Sequence, residues 1–229
     1  VARVMPKYEA FLEAFPTPAA LAQAPLGEAL RLWSGLGYPR RCRNLQATAV
    51  VLHEQLNGRM PSSLDELLAL PGIGQYTARA VLAFAHRIDV AVVDVNVSRV
   101  LSRLEGVPMK ARALQELADE LIPEGLAWEW NQVMMDFGAR HCTVRSPQCD
   151  SCPVRSQCRY KGVGEDPAQL SAGVSKPQAR FEGSDRQARG RAIKAVSSGA
   201  MNIYDVVEAM RVEEQRALAL IASLVNEGL

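Results

Sequence analysis

The chain has 229 residues, of which 48% are hydrophobic and 22% are charged, as is usual for globular proteins. This length is enough for one or two domains with a real core, and the composition excludes collagen, coiled coil and low-complexity disorder for the chain as a whole. No apolar run of about 18 residues predicts a membrane span, and residues 1–15 lack the pattern of a secretory signal. We therefore expect a cytoplasmic protein.

Charge is unevenly distributed along the chain, although the formal net charge is only +1. Residues 31–60 contain five basic residues and one acid, and residues 140–194 contain 11 basic and 5 acidic residues. The block between them, residues 61–139, contains 6 basic and 11 acidic residues. This pattern favours a polyanionic partner that touches selected surfaces, and it is equally compatible with ordinary solvated helix faces.

Apolar residues recur at helical spacing along almost the whole chain. The first amphipathic pattern opens at Val1 with no N-cap before it, so we expect that the start of this helix is missing. The one strand-like run, Val90–Val93, is too short to build a sheet, and the expected fold is all-α. The predicted helices cover residues 1–15, 18–23, 26–34, 45–56, 63–69, 75–86, 94–104, 110–122, 127–139, 184–197, 202–210 and 213–226.

The composition divides the chain into four parts. Residues 162–183 are rich in Gly, Ser, Pro and charge, which is typical of a linker. We predict one helical domain over 1–88, a second domain over 89–161, the linker over 162–183 and a small helical extension over 184–229. The last helix ends in Asn226-Glu-Gly-Leu229, as helices do before a strand in winged-helix modules. We expect the chain to be cut at this end too.

Four cysteines, Cys142, Cys149, Cys152 and Cys158, are spaced C-x6-C-x2-C-x5-C. Disulfides are not expected without a secretory signal, and four thiolates this close repel each other unless a cation neutralises them. The spacing therefore predicts a metal centre. A single C-x2-C flanked by longer loops favours a [4Fe–4S] cluster, with zinc as the alternative. Cys42 stands alone and is expected to be a small buried hydrophobe.

The segment Leu70-Pro-Gly-Ile-Gly74 separates two predicted helices. Its glycines permit positive φ and close backbone approach, and the amides at the start of the next helix can form an anion site. This is the helix-hairpin-helix pattern, which binds DNA phosphate without reading sequence; an ordinary interhelical turn is the alternative. The candidate DNA-binding residues here are Leu70, Gly72, Ile73, Gly74 and Gln75.

Asp94 follows an apolar run and stands at the first position of the predicted helix over residues 94–104. Its carboxylate can simply cap that helix. It can also be a carboxylate held near a positively charged transition state beside the hairpin. The local sequence leaves both interpretations open.

Several motifs occur together in this chain: L-P-G-I-G-Q-Y-T-A from residue 70, V-V-D-V-N-V-S-R-V from residue 92, and the four-cysteine loop. Together they resemble the helix-hairpin-helix base-excision DNA glycosylases that carry an iron–sulfur cluster. The segments L-W-S-G-L-G-Y at 32–38, R-N-L at 43–45 and N-Q-V-M-M-D-F-G at 131–138 are most similar to the adenine DNA glycosylase branch, the MutY type. The resemblance covers residues 1 to about 160, and the tail 178–229 is similar to a small extension on some bacterial members.

The resemblance implies an all-α glycosylase fold with a [4Fe–4S] cluster on the four cysteines. It implies an enzyme that flips adenine out of a mispair with guanine or 8-oxoguanine in duplex DNA. Asp94 matches the aspartate that stabilises the oxocarbenium-like sugar, and Asn96 is placed to hold that carboxylate. Tyr76 stands where the lyase branch has its lysine, and a phenol forms no Schiff base, so a monofunctional hydrolase is implied. The segment used near the lesion contains Leu36, Gly37 and Tyr38.

The implied setting is a monomer acting on mispaired DNA in the bacterial nucleoid. One departure concerns the family's general-acid glutamate, which lies upstream of the segment matching Val1; we therefore expect this chain to be a fragment with weak excision. The separate C-terminal domain for 8-oxoguanine is not recognisable either. Two alternatives remain: a thymine or uracil mismatch glycosylase of the same superfamily, and a non-catalytic DNA-binding module, against which the presence of Asp94 argues.

Overall fold

The computed structural model describes residues 4–173, 180–199 and 202–229. Every regular element in these residues is helical, which confirms the expected all-α class. Val1, where the first helix was predicted to open, and residues 174–179 of the predicted linker lie outside the described residues. No described helix is both long and apolar enough to cross a bilayer.

The α-helices are α1 (Met5–Ala14), α2 (Pro18–Gln23), α3 (Leu26–Trp33), α4 (Pro39–Gln55), α5 (Leu64–Leu68), α6 (Gln75–Ala80), α7 (Val95–Glu105), α8 (Ala111–Glu120), α9 (Ala127–Arg140), α10 (Asp185–Ser197), α11 (Ile203–Met210) and α12 (Glu214–Asn226).

Capping side chains explain where several helices begin. Thr17 accepts a hydrogen bond from the Ala20 amide at the start of α2. Ser63 accepts one from the Glu66 amide at the start of α5, and the Ser-x-x-Glu spacing is that of a capping box. Ser184 and Asn202 cap α10 and α11 in the same way. Each cap satisfies an amide that the first helical turn leaves without a partner.

The described residues form two compact units. The first contains those within 1–61, 70–72 and 178–229, and the second those within 62–69 and 73–177. This grouping falls elsewhere than the boundaries predicted after residues 88 and 161. Helix α10 packs on α3, so the C-terminal helices share the first unit with the N-terminal ones.

The first unit contains two apolar clusters. One is built from α2, α3 and α4 and includes Phe15, Leu30 and Cys42. Cys42 is fully buried, which confirms its expected role as a small hydrophobe, and burial raises the pKa of its thiol to about 11. The second cluster joins the three C-terminal helices through Ala188, Ala192, Val206, Met210, Ala217 and Leu224.

The second unit is organised around α7, which packs against α8 and α9. The strand-like run at 90–93 is extended, and it has no strand partner among the described residues. Its backbone groups bond instead to side chains: Asn131 Oδ1 accepts from the Val92 amide at 2.8 Å, and Asn131 Nδ2 donates to the Val90 carbonyl at 3.0 Å. Asp119 likewise accepts from the Ala91 amide at 2.8 Å. These bonds satisfy a buried extended segment without a sheet.

Two local features differ from the predicted elements. The helix predicted over 75–86 changes after α6 into a π-helical turn over Val81–Ala85. The predicted linker is ordered in its first half, where a 3-10 turn spans Pro167–Leu170 and buries Pro167 and Ala168. The polar composition of this half reflects hydrogen bonding rather than flexibility, because Asp166 pairs with the buried Arg103.

Candidate functional site

The carboxylate of Asp94 is fixed at the start of α7. Oδ1 accepts from the backbone amides of Asn96 and Val97, both at 2.8 Å, and Oδ2 accepts from Asn96 Nδ2 at 2.8 Å. The helix-cap interpretation is therefore correct as a description of geometry. A carboxylate has about four lone-pair sites, so three bonds still leave acceptor capacity for another group.

A relay of hydrogen bonds connects Asp94 to the beginning of the cysteine loop. Asn96 Oδ1 accepts from Arg99 Nη2 at 2.9 Å, so the Asn96 amide is held in one orientation. Arg99 also donates to the Gly138 carbonyl at 2.7 Å and to the Cys142 carbonyl at 2.8 Å. Burial lowers the pKa of Arg99 below its ordinary value. The implied role of Asn96 as the holder of the carboxylate has the geometry that this role needs.

Helix α9 supports this arrangement from behind. A Cβ added at Gly138 would lie 2.7 Å from Asn96 Cβ and 3.0 Å from the Asn96 carbonyl oxygen. Such distances are too short for ordinary packing, so glycine at 138 allows α9 to approach the residue that orients Asp94. The N-Q-V-M-M-D-F-G segment thus contributes Asn131 below the extended run and Gly138 behind Asn96.

Tyr76 lies on α6, and its side chain is about half exposed. It lines a cleft of about 570 Å³ together with Gln75, Arg79 and Val93, the neighbour of Asp94. Arg79 and Asp119 also line this cleft, where they form an ion pair at 2.8 Å. Tyr76 and the residue next to Asp94 are therefore brought to one cleft, while Asp94 itself is not among its lining residues.

The two hairpin glycines serve different purposes. Gly72 has φ +74°, and a Cβ there would lie 2.2 Å from Asn44 Nδ2, so both its conformation and its packing require glycine. Gly74 has φ −102°, and a Cβ there would meet nothing within 4 Å. The fold thus does not need glycine at 74, and this position leaves open space in front of the amides that begin α6. Leu70 is buried, Ile73 is half-buried and Gln75 is exposed.

The segment predicted to lie near the lesion adopts a tight conformation. The Gly37 carbonyl accepts from Trp33 Nε1 at 2.9 Å, and Tyr38 has φ 50° and an exposed ring. Leu36 does not point freely to solvent: it lines an apolar cavity of about 480 Å³ with residues of α1 and α4. Of these three residues, Tyr38 offers the exposed side chain.

All four cysteines line one small cavity, together with Arg103 and Tyr160. Among the described residues, no three His, Cys, Asp or Glu side chains converge closely enough to hold a single metal ion. Gly162, with φ +82°, passes so near Cys149 that a Cβ would lie 2.9 Å from its Sγ. Burial raises the pKa of Cys149, and the neighbouring Cys142 and Cys158 raise it further.

Arg103 is the central polar group of this region and is 2% exposed. Its Nη2 lies 2.6 Å from Asp166 Oδ2, and its Nη1 lies 2.7 Å from the Thr143 carbonyl and 3.3 Å from Cys142 Sγ. Burial alone would lower its pKa, yet the bonds to Asp166 and Cys142 raise it above the ordinary value. A permanent cation therefore sits among the thiols.

Sequence reasoning missed Arg99, Arg103 and Asp166. Arg99 and Arg103 are four residues apart on an amphipathic helix, which is the usual pattern of a solvated face. The sequence feature that could have identified these two arginines is their position, which follows V-V-D-V-N directly and precedes the four-cysteine loop. Asp166 was hidden because its segment has the composition of a linker.

Similar proteins were found by sequence and by structure. An adenine DNA glycosylase of Mycolicibacterium smegmatis is 42% identical over 196 residues, which is 83% of this chain and 65% of that protein. The adenine DNA glycosylases of Mycobacterium tuberculosis and Homo sapiens are each 38% identical, covering 83% and 76% of this chain. The chain covers 63% of the M. tuberculosis protein and 33% of the human one, so it spans less than two thirds of the length of these relatives.

Two solved structures are similar to this fold. A non-covalent complex of endonuclease III with DNA has a TM-score of 0.64 and 31% identity, covering 70% of this chain and 77% of that one. A thermostable thymine-DNA glycosylase has a TM-score of 0.65 and 30% identity, covering 69% and 76%. The profile of the HhH-GPD superfamily matches residues 1–124. With the hairpin, the capping aspartate and the cysteine loop in the places described, the chain belongs to the HhH-GPD superfamily of base excision DNA repair proteins.

Proposed function

We propose that this protein is a monofunctional DNA glycosylase that removes adenine mispaired with guanine or 8-oxoguanine. The observation that carries the proposal is the fixed carboxylate of Asp94, held by three donors at the start of α7 in a chain of this superfamily. Adenine specificity rests on the 38–42% identity to adenine DNA glycosylases. Thymine excision is the second candidate, because a thymine-DNA glycosylase shares the fold.

Asp94 is proposed to act electrostatically. As the N-glycosidic bond breaks, the electron pair leaves with adenine and positive charge develops on the sugar. A fixed anion beside the sugar stabilises that charge without reorganising at the moment of reaction. Asn96 and Arg99 act as positioning residues, because they hold the carboxylate in one orientation.

Single-turnover excision tests this role. Asp94→Asn removes charge but little volume, so we expect excision to fall by about 100-fold or more while duplex binding is retained. The matched control is Asp136→Asn, the same change on an exposed acid of α9. We would assay both variants beside the unsubstituted chain under the same conditions. Unchanged excision by Asp94→Asn would leave Asp94 as a cap only.

Base choice is tested with four duplexes of identical flanks, containing A:G, A:8-oxoguanine, T:G and U:G. We expect excision of adenine from the first two. Faster release of thymine or uracil would favour the second candidate.

We propose that water is the nucleophile, because the phenol of Tyr76 cannot form a Schiff base with the opened sugar. Borohydride should therefore trap little covalent adduct, and strand breaks should appear only after alkali. Efficient trapping at neutral pH would contradict monofunctionality and require an amine elsewhere in the site.

The hairpin is proposed to bind the DNA backbone through the amides at the start of α6, in front of Gly74. Gly74→Ala is a sharp probe because a Cβ at this position meets no protein atom within 4 Å. We expect unchanged thermal stability and weakened binding to any duplex. Normal binding by this variant would remove the hairpin from the proposed DNA-binding surface.

We propose a [4Fe–4S] cluster on Cys142, Cys149, Cys152 and Cys158. Four thiols that line one cavity, in a chain of this superfamily, suit a group in which each thiolate takes a different iron. Arg103 would offset part of the negative charge of the four thiolates. When bound, such a cluster links the four loop positions into one rigid unit. Anaerobically purified protein should be yellow-brown with about four irons per chain, whereas one stoichiometric zinc would refute the assignment.

We also propose that mispaired duplex DNA is the partner of this protein. The proposed location is the bacterial cytoplasm and nucleoid, and the proposed oligomeric state is a monomer.

A further inference from the structure

The C-terminal extension borders the segment predicted to lie near the lesion. Within the first unit, a small cleft of about 70 Å³ has residues of the 34–39 segment on one wall and residues of α10 on the other. Gly37 and Pro39 contribute to the first wall, and Gly190, Ile193 and Lys194 to the second. Both walls belong to the same compact unit, so their proximity is a property of that unit alone.

Glu227, near the end of α12, ties the extension to the start of α4. Its carboxylate lies 2.7 Å from Arg189 Nη2 and 3.9 Å from Arg40 Nε, and its backbone carbonyl accepts from Arg43. The hydrogen bond from Arg189 lowers the pKa of Glu227 below its ordinary value. Arg40 remains 64% exposed despite this contact. The extension thus contacts Arg40 and Arg43, which directly follow the 34–39 segment.

The charge of these contacts is strongly positive. Arg40, Arg43, Arg189 and Lys194 provide four cations, and Glu227 provides one carboxylate. Lys194 is exposed and makes no ion pair with an acid of the described residues. An exposed ammonium with no acid partner, beside a segment proposed to meet DNA, is suited to a backbone phosphate.

We infer that the C-terminal extension forms part of the DNA-binding surface, with Lys194 contacting a backbone phosphate beside the 34–39 segment. The inference rests on the proposed function in taking duplex DNA as the partner and in placing the 34–39 segment beside that DNA. Lys194 adds affinity that does not depend on sequence, and Glu227 supports the surface by keeping Arg40 and Arg43 next to the segment. The extension is thereby a contributor to substrate binding rather than a passive appendage.

The test is the salt dependence of binding to a fluorescent mismatched duplex and to a fully paired duplex. Lys194→Gln should weaken both complexes several-fold and make the slope of log affinity against log salt shallower by about one. Lys194→Arg keeps the charge and should retain the wild-type slope. Arg211→Gln is the matched control, since Arg211 is an exposed cation of the same extension at the end of α11.

The outcomes separate this inference from the proposed function. An unchanged slope for Lys194→Gln with normal wild-type binding would overturn the inference alone. An equal loss for Arg211→Gln would also overturn it, because net charge would then explain the effect. Wild-type protein that binds no duplex would overturn the proposed function together with this inference, and tighter binding to an acidic polypeptide than to DNA would indicate a protein partner instead.

Discussion

The cysteine loop, residues 142–160, and the C-terminal extension, residues 184–229, are held in place by different forces. No residue of the loop is buried, and its neighbour Arg103 is the large buried side chain that contacts it. The extension has six buried apolar residues of its own, with Met210 and Ala217 fully enclosed. The loop is therefore stabilised by polar bonds and, in our proposal, by the cluster on its four cysteines, whereas the extension is stabilised by apolar burial.

This difference determines which substitutions each region tolerates. Removing one partner of the buried Arg103 leaves a buried charge without its partner, which strongly lowers the stability. Truncating an apolar side chain lowers the stability by an amount that grows with the volume removed.

Cys149→Ser should have the largest effect. It removes one thiolate from a loop with no buried residue, so we expect loss of bound iron, loss of solubility and weaker DNA binding. Iron content, visible absorbance and proteolysis of the loop measure this. Cys42→Ser is the contrasting change, since Cys42 lies in the apolar core of the other unit; it should lower stability while iron content stays normal. Full iron in Cys149→Ser would contradict the assignment of this residue as a ligand.

Arg103→Lys should lower the free energy of unfolding by about 3 kcal/mol, because lysine cannot reproduce the forked bonds to Asp166, Thr143 and Cys142 from a buried position. Urea unfolding measures the loss. The control, Arg112→Lys, changes an exposed pair with Glu116 and should leave the free energy of unfolding nearly unchanged. Equal values for the two variants would mean that Arg103 does not hold the loop.

Met210→Ala tests the apolar side of the comparison. Met210 is fully buried, so its truncation should destabilise the extension by about 3 kcal/mol and leave the iron content unchanged. Leu218→Ala, at a side chain that is 41% exposed, should cost well under half as much. Loss of iron in Met210→Ala would show that the two regions are not independent.

The smallest effect concerns pH. Burial alone would raise the pKa of Asp166, but the bonds from Arg103 and the Ala168 amide lower it below its ordinary value. Its contribution to stability is therefore complete above the pKa of an unfolded aspartate, about 4, and is lost as the pH falls below that value. Asp166→Asn leaves the buried Arg103 without its carboxylate and should lower stability at every pH. The small part of the acid sensitivity that Asp166 supplies should then be absent in urea unfolding between pH 3 and 7. Asp150→Asn, at a fully exposed acid of the loop, should keep it.

Helix positions could be predicted from the sequence because their signals are local. Thr17, Ser63 and Asn202 cap helices at the positions where capping residues precede apolar periodicity. The four cysteines were singled out by residue type and spacing. The resemblance to a known family added the roles proposed for Asp94, Tyr76 and Asn96.

Other features could not be predicted because they depend on partners far along the chain. Arg103 is buried by Asp166, 63 residues later, and nothing local distinguishes it from a solvated arginine. The extended run at 90–93 depends on Asn131, which replaces a neighbouring strand. The grouping of the C-terminal helices with the first unit likewise follows from packing on α3, which local sequence does not encode.

Gly138 has a consequence for how this sequence can vary. Its requirement for glycine comes from Asn96 on another helix and not from a positive φ, so positions 96 and 138 are coupled through packing. A library that varies position 138 alone should return glycine, whereas a library that varies both should return alanine at 138 only together with glycine at 96, because every other residue keeps the Cβ that lies 2.7 Å away. Such pairs would fold but would lose the amide that orients Asp94, so selection for folding and selection for excision should choose different members of the same library.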